Sequence, residues 1–176
     1  MLRAEFHRVG GPRGSGAHAD VDRALEVLLK ARLQALHPCR WNGEETRSDA
    51  IDGREIRVVD PNDGTREFLH GLRGSAISMA LLRDRKPVLG VVFAPVALDD
   101  HGDLIVWAEG ARLARSGEPE MRTDAAAPGI LALNANAADY ADHNCRTMRG
   151  FRVRALPGPA YVWPLRRWEM LMSPQA

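Results

Sequence analysis

Asp60-Pro61-Asn62-Asp63-Gly64-Thr65 follows directly on Ile56-Arg57-Val58-Val59. The four residues before the hexapeptide are rich in β-branched side chains and read as a buried strand. Two carboxylates, three residues apart, therefore stand at that strand's C-terminal end. Pro61 fixes one φ and has no N–H to donate. Gly64 permits a tight turn and close approach of backbone to a ligand. Thr65 sets a hydroxyl beside the second carboxylate. Two acids on a rigid turn suit a hard divalent cation such as Mg²⁺, and the turn N–H groups after Asp63 suit a phosphate. The same residues also make an ordinary Asp-rich surface turn, so the hexapeptide alone leaves both readings open. An EF-hand loop fits poorly. That loop needs Gly at its sixth position, and counted from Asp60 the glycine is fifth.

Working outward, Val21, Leu25, Leu28, Leu29, Leu33 and Leu36 recur at helical spacing. They predict a helix from Asp20 to His37, packed by its leucine stripe and closed by Pro38. Asp20 or Asp22 sits at its N-terminus, where the helix dipole favours an acid. Trp41-Asn42-Gly43-Glu44-Glu45-Thr46 then offers two adjacent acids. Paired acids are usually solvated, but a third carboxylate brought to Asp60 and Asp63 would complete a site of oxygen ligands. Downstream, Thr65 to His70 predict a short helix with its N-terminus toward a phosphate. Ser75–Leu82 and Pro87–Phe93 predict an antiparallel pair turned at Asp84-Arg85-Lys86. Leu104–Trp107 and Ala111–Ala114 predict further strands.

The fold class this implies is α+β, an antiparallel sheet with helices on one face. Residues 1–19, with Gly10-Gly11-Pro12-Arg13-Gly14-Ser15-Gly16, predict a flexible segment without a stable element. Residues 20–115 form the candidate metal-binding domain, and 116–128 a polar, Ala/Pro-containing linker. Residues 129–176 read as a partial second α/β domain: a strand at 129–135, a helix at 137–149 and a strand at 151–156.

The formal net charge of +1 gives no reason to expect a nucleic-acid or membrane partner. Cys39 and Cys145 fit no metal spacing and no disulfide framework. Two reduced thiols in a cytoplasmic protein are expected. The polar, basic first residues carry no signal-peptide core, and no apolar run approaches a membrane span. No serine stands in a nucleophile-elbow context.

The hexapeptide resembles the metal-binding signature of the inositol monophosphatase superfamily. The resemblance continues through Ala76-Ile77-Ser78-Met79-Ala80-Leu81-Leu82 and Pro87-Val88-Leu89-Gly90-Val91-Val92-Phe93-Ala94-Pro95, and upstream to Gly43-Glu44-Glu45. It implies a layered sandwich of two domains with the site in the cleft between them. It also implies Mg²⁺-dependent, lithium-sensitive hydrolysis of a small phosphorylated alcohol. By this resemblance the ligands are the carboxylates of Glu44, Asp60 and Asp63 and the backbone carbonyl of Asn62. Thr65 Oγ with Glu44 polarises the water, and the N–H groups of Gly64 and Thr65 bind the phosphate. Asp22 opens its helix and contacts the signature threonine; the plainer reading of Asp22 is a helix cap. Two departures stand out. Ala19 replaces a usual Thr, and Asn62 replaces a usual aliphatic residue. Arg66-Glu67-Phe68-Leu69 and Val92-Phe93-Ala94-Pro95 are more like the 3′(2′),5′-bisphosphate nucleotidase branch, whereas Leu69-His70-Gly71 leans toward inositol and sugar phosphatases. A homodimer is left open.

The family carries a long helix before the segment starting at Met1, and a Trp-Asp pair in its second domain. Here Trp41, Trp107, Trp163 and Trp168 precede Asn42, Ala108, Pro164 and Glu169. Val162 to Met172 shows neither strand nor helix period. Back-translated with GC-rich codons and read in a shifted frame, that tail gives a small-residue segment ending in a Gly-x-Ala-Asp-like turn. The expectation is an incomplete member, frameshifted near its end, that binds metal with weak or no turnover; a genuine short tail is the alternative.

Overall fold

The computed structural model describes residues 1–46, 53–96, 100–116, 118–119, 130–134 and 152–156. The chain opens with helix α1 (Leu2–Phe6), a two-strand ladder of β1 (Gly14–Ser15) and β2 (His18–Ala19), and helix α2 (Asp20–Leu36). Strands β3 (Arg40–Gly43) and β4 (Glu55–Asp63) follow, then helix α3 (Thr65–Leu69). The remaining sheet strands are β5 (Ala76–Arg83), β6 (Lys86–Ala94), β7 (Asp103–Ala108), β8 (Ala114–Arg115) and β9 (Glu118–Pro119). Strands β3 to β9 form one sheet in sequence order. Strands β10 (Ile130–Asn134) and β11 (Arg152–Leu156) make a separate parallel pair. The α+β class expected from sequence is what the chain adopts. The helix expected at 137–149 and the tail from 157 lie outside the described residues.

Two features of the sheet differ from expectation, and both build the site. Every neighbouring pair in the large sheet is antiparallel except β3 and β4, which run parallel with Gly43 opposite Val59. A four-residue strand is too short to show a period, which is why β3 is not legible from sequence. Parallel pairing points both C-terminal ends the same way, so Glu44 emerges beside Asp60. The ladder reaches one residue further through the Glu44 N–H, which donates to the Val59 carbonyl at 3.2 Å.

The second difference is that β4 does not stop at Val59. It runs on to Asp63, with Asp60 opposite Ser78 and Asp63 opposite Ala76. Three steps on β4 thus match two on β5, the signature of a bulge. In a regular strand, residues three apart point to opposite faces. The extra residue resets the alternation and brings Asp60 and Asp63 to one side. Pro61, which cannot donate to a ladder, sits where the ladder is already broken. Gly64 then takes φ +94°, a left-handed conformation that only glycine adopts freely, and α3 starts at once.

The first core cluster joins Leu2, Ala19, Val21, Leu25 and Phe68, with Phe6, Leu29, Leu69 and Ile77 packed against it. Burying a side chain such as Leu25 or Phe68 contributes about 1.5–3 kcal/mol. This cluster pins the start of α2 to α3, and so to the signature. The leucine stripe of α2 is core only at that end. Leu28 and Leu36 are exposed, and Leu33 and Leu36 line an open apolar cleft of ≈ 450 Å³ with Met79, Leu81, Leu89 and Val91.

The expectation of no stable element in residues 1–19 is corrected. Leu2 is buried in the core and Phe6 packs on Phe68 with ring centroids 5.7 Å apart. Glu5 accepts three hydrogen bonds from Arg13, from its backbone N–H at 3.0 Å and its guanidinium at 2.9 and 3.0 Å. Two apolar anchors and one buried carboxylate hold a glycine-rich segment that local propensity leaves loose.

Candidate active site

Helix α2 carries two buried acids, Asp22 and Glu26, four residues apart and therefore on one face. Asp22 is 1% exposed and Glu26 0%. Asp22 Oδ2 accepts the Ala19 N–H at 2.9 Å, the backward half of a capping box. Asp22 Oδ1 accepts from Asn62 Nδ2 at 2.9 Å. Thr65 Oγ1 lies 3.3 Å from Asp22 Oδ2 and 2.8 Å from the Asn62 carbonyl oxygen. The helix-cap and threonine-contact readings of Asp22 are therefore not alternatives, because one carboxyl does both.

A hydroxyl has one proton. With Asp22 ionised, Thr65 must share it between two acceptors. With Asp22 protonated, the carboxyl donates to Thr65 Oγ1 and Thr65 donates to the Asn62 carbonyl, so each contact has its own proton. Burial pushes the Asp22 carboxyl up, against the hydrogen bonds from Ala19 and Asn62 that pull it down, and the net direction is up.

The second group gathers at the ends of β3 and β4. Asp60 Oδ1 accepts the Asn62 N–H at 3.0 Å. Burial, then a hydrogen bond with Glu44, then the charges of Glu44 and Asp63 push Asp60 up to about 7, against the Asn62 N–H bond that lowers it. Asp63 is also raised, by burial first and then by the charges of Glu44 and Glu67. Glu44 itself is exposed at the rim.

Of the residues singled out in the sequence, Asp22, Asn62 and Thr65 form one hydrogen-bonded unit, and Glu44, Asp60 and Asp63 interact as charges. Among the described residues, no three acids, histidines or cysteines are set to hold a metal ion as they stand. The donor set nonetheless fits one chemically. All its atoms are oxygen, the Glu44 charge raises the proton affinity of Asp60 and Asp63, and a hard cation relieves that repulsion. The Asn62 carbonyl has a second lone pair beyond the one that Thr65 uses.

Sequence reasoning assigns no role to four residues that matter here. Glu67, on α3, is 5% exposed and bears on Asp63. His18 pairs with Glu45 at 3.1 Å; that contact raises the imidazole, with smaller help from the charges of Glu44 and Asp22. Glu26 accepts from Trp41 Nε1 at 3.2 Å, the Glu45 N–H at 2.7 Å, the Thr46 N–H at 3.1 Å and the Thr46 hydroxyl. The available signal was an acid one turn after Asp22, flanking the Val21 and Leu25 stripe. Gly43 makes the close approach possible, since a Cβ there would stand 1.8 Å from Glu26 Oε1.

A layered α+β fold with an acid cluster at the carboxyl ends of two parallel strands defines the class. Residues 7–137 match the inositol monophosphatase family, and the chain belongs to that family. It is 37% identical over 100 residues to inositol monophosphatase 2 of Solanum lycopersicum, a stretch covering 53% of this chain and 37% of the relative. It is 36% identical over 83 residues to a probable inositol 1-monophosphatase of Mycobacterium tuberculosis, covering 47% of this chain and 31% of the relative. Among solved structures it is similar to inositol monophosphatase II of Staphylococcus aureus, with TM-score 0.64 and 26% identity over 79% of this chain and 54% of that one. The matched stretch thus spans about a third of these curated relatives' length.

Proposed function

We propose that this chain carries the metal- and phosphate-binding part of a Mg²⁺-dependent phosphomonoesterase acting on a small phosphorylated alcohol, an inositol or sugar phosphate. The observation that carries the reading is the convergence of Glu44, Asp60 and Asp63, with Asp60 driven up to about 7. Crowded acids of this kind cluster at functional sites, and a hard cation would relieve their repulsion. Glu44, Asp60 and Asp63 would hold the metal by carboxylate and Asn62 by its carbonyl. When bound, Mg²⁺ supplies charge neutralisation on the phosphoryl oxygens and a nucleophilic water at neutral pH.

The chain's own groups do the rest. Thr65 Oγ1 and the Glu44 carboxylate orient the attacking water. Asp22, 3.3 Å from Thr65 Oγ1, fixes the direction of that hydroxyl and accepts or returns its proton. The N–H groups of Gly64 and Thr65, at the first turn of α3 where N–H groups lack intrahelical acceptors, hold phosphate oxygens. The family resemblance and the relatives' printed names support inositol phosphates.

Phosphate release from inositol monophosphate and from adenosine 3′,5′-bisphosphate, with and without Mg²⁺, tests this. Mg²⁺-dependent release from the first supports the proposal. Preference for the second moves the chain to the bisphosphate nucleotidase branch. Mg²⁺ binding with release from neither supports a metal-binding member without turnover, and no Mg²⁺ binding at all overturns the reading.

A further inference from the structure

We propose that Glu26 is a positioning residue: its buried carboxylate, carried on α2, fixes the Gly43–Thr46 segment from which Glu44 reaches Asp60. The geometry is a plug in a socket. The carboxylate is fully buried and, among the described residues, receives four donors, all from residues 41 to 46. None of those donors is a charged group. A buried carboxylate facing only neutral donors is costly unless all of them point at it. Burial pushes Glu26 up, yet the bonds from Thr46, Glu45 and Trp41 outweigh it and hold the carboxyl below its ordinary range. The segment is therefore shaped around an anion. Trp41, 0% exposed, forms one wall of the socket. Gly43 forms another, where any side chain would collide with Glu26 Oε1.

The placement gives α2 a second task beside packing. Asp22 grips the signature through Asn62 and Thr65. Glu26, one turn later, grips the Glu44 segment. One rigid helix thus sets the two acid-bearing segments against each other, and the hydrogen bond from Glu44 N–H to the Val59 carbonyl adds the third constraint. The loop-holding half of this inference stands on geometry alone. Its consequence for metal affinity rests on the metal reading given under Proposed function.

Glu26→Gln separates the two halves. Glutamine keeps the shape but has one acceptor oxygen, and its NH₂ must face at least one N–H or O–H donor. In the metal-free protein, amide hydrogen exchange at Glu45 and Thr46 should speed up at least about 10-fold, with far-ultraviolet circular dichroism unchanged. Calorimetric titration with Mg²⁺ should show affinity weakened by about 10-fold, as is usual when the group orienting a ligand is lost. Unchanged amide protection overturns the proposal. Lost protection with unchanged Mg²⁺ affinity also overturns it, because the loop would then be held but not positioned for the metal. If Glu26→Gln does not fold, Thr46→Val removes a single donor. It should weaken Mg²⁺ binding by about 2- to 5-fold, and parental affinity there refutes the claim. A parent that binds no Mg²⁺ sinks the metal reading instead, and amide exchange then decides the loop-holding claim by itself.

Discussion

Asp60→Asn should make the metal-free protein more stable while abolishing the proposed Mg²⁺ binding. Asp60 rises from an ordinary carboxyl value of 3.8 to about 7 in the fold, through burial, the hydrogen bond with Glu44 and the charges of Glu44 and Asp63. Between those two values the folded chain binds more protons at Asp60 than the unfolded chain does. Stability therefore falls as pH rises through that window, and the loss is complete above about pH 7. At about 1.36 kcal/mol for each tenfold change in proton affinity, the ceiling is about 4 kcal/mol. Asp60 is only half-buried and shares its proton with Glu44, so solvent screening and coupling reduce this to about 2 kcal/mol. Asparagine keeps the shape and donates to Glu44 without a shared proton. Urea unfolding in EDTA at pH 8 should show Asp60→Asn more stable by about 2 kcal/mol, with the difference vanishing near pH 4. Equal stability at pH 8, or a gain that persists at pH 4, refutes the crowding argument.

Three further outcomes follow from other parts of the molecule. The β5–β6 hairpin turns at Asp84 and Arg85, both with left-handed φ of 50° and 64°, a conformation that favours Asn-Gly. Arg85→Gly should therefore raise stability by about 1 kcal/mol in thermal unfolding. Thr65→Val removes the hydroxyl bonded to the Asn62 carbonyl and near Asp22. It should cost about 1 kcal/mol in urea unfolding and lower any phosphatase turnover by about 100-fold or more in a phosphate-release assay. Li⁺ should inhibit whatever Mg²⁺-dependent phosphate release the chain shows; rates indifferent to Li⁺ would place it outside the sensitive branches.

The hexapeptide, α2 and the β5–β6 hairpin are legible in the sequence because each depends on local chemistry: turn residues, a 3.6-residue period, and two apolar runs with a short turn. The bulge in β4 is not, because it exists only against β5; Val59 looks like a strand end until Ser78 and Ala76 are set opposite. Strand β3 is four residues long and gains its parallel partner through tertiary contact. The exposed end of the leucine stripe reads as core because periodicity reports a face, not what covers it. Leu2 and Phe6 anchor a glycine-rich stretch through packing with Phe68, far along the chain. Glu26 is illegible for a related reason: an acid on a helix reads as solvated, and its burial becomes sensible through the donors of residues 41 to 46. Asp22, Asn62 and Thr65 take their roles from the family resemblance rather than from local chemistry. Their hydrogen bonds show why Asn62 is accommodated, since its amide donates to Asp22.

The central claim is that the ends of β3 and β4 form one divalent-cation site, and calorimetric titration with Mg²⁺ at pH 8 tests it directly. The parent chain should bind Mg²⁺, and Glu44→Gln and Asp63→Asn, each folded by circular dichroism, should each lose that binding. Variants that bind Mg²⁺ as tightly as the parent would contradict the account.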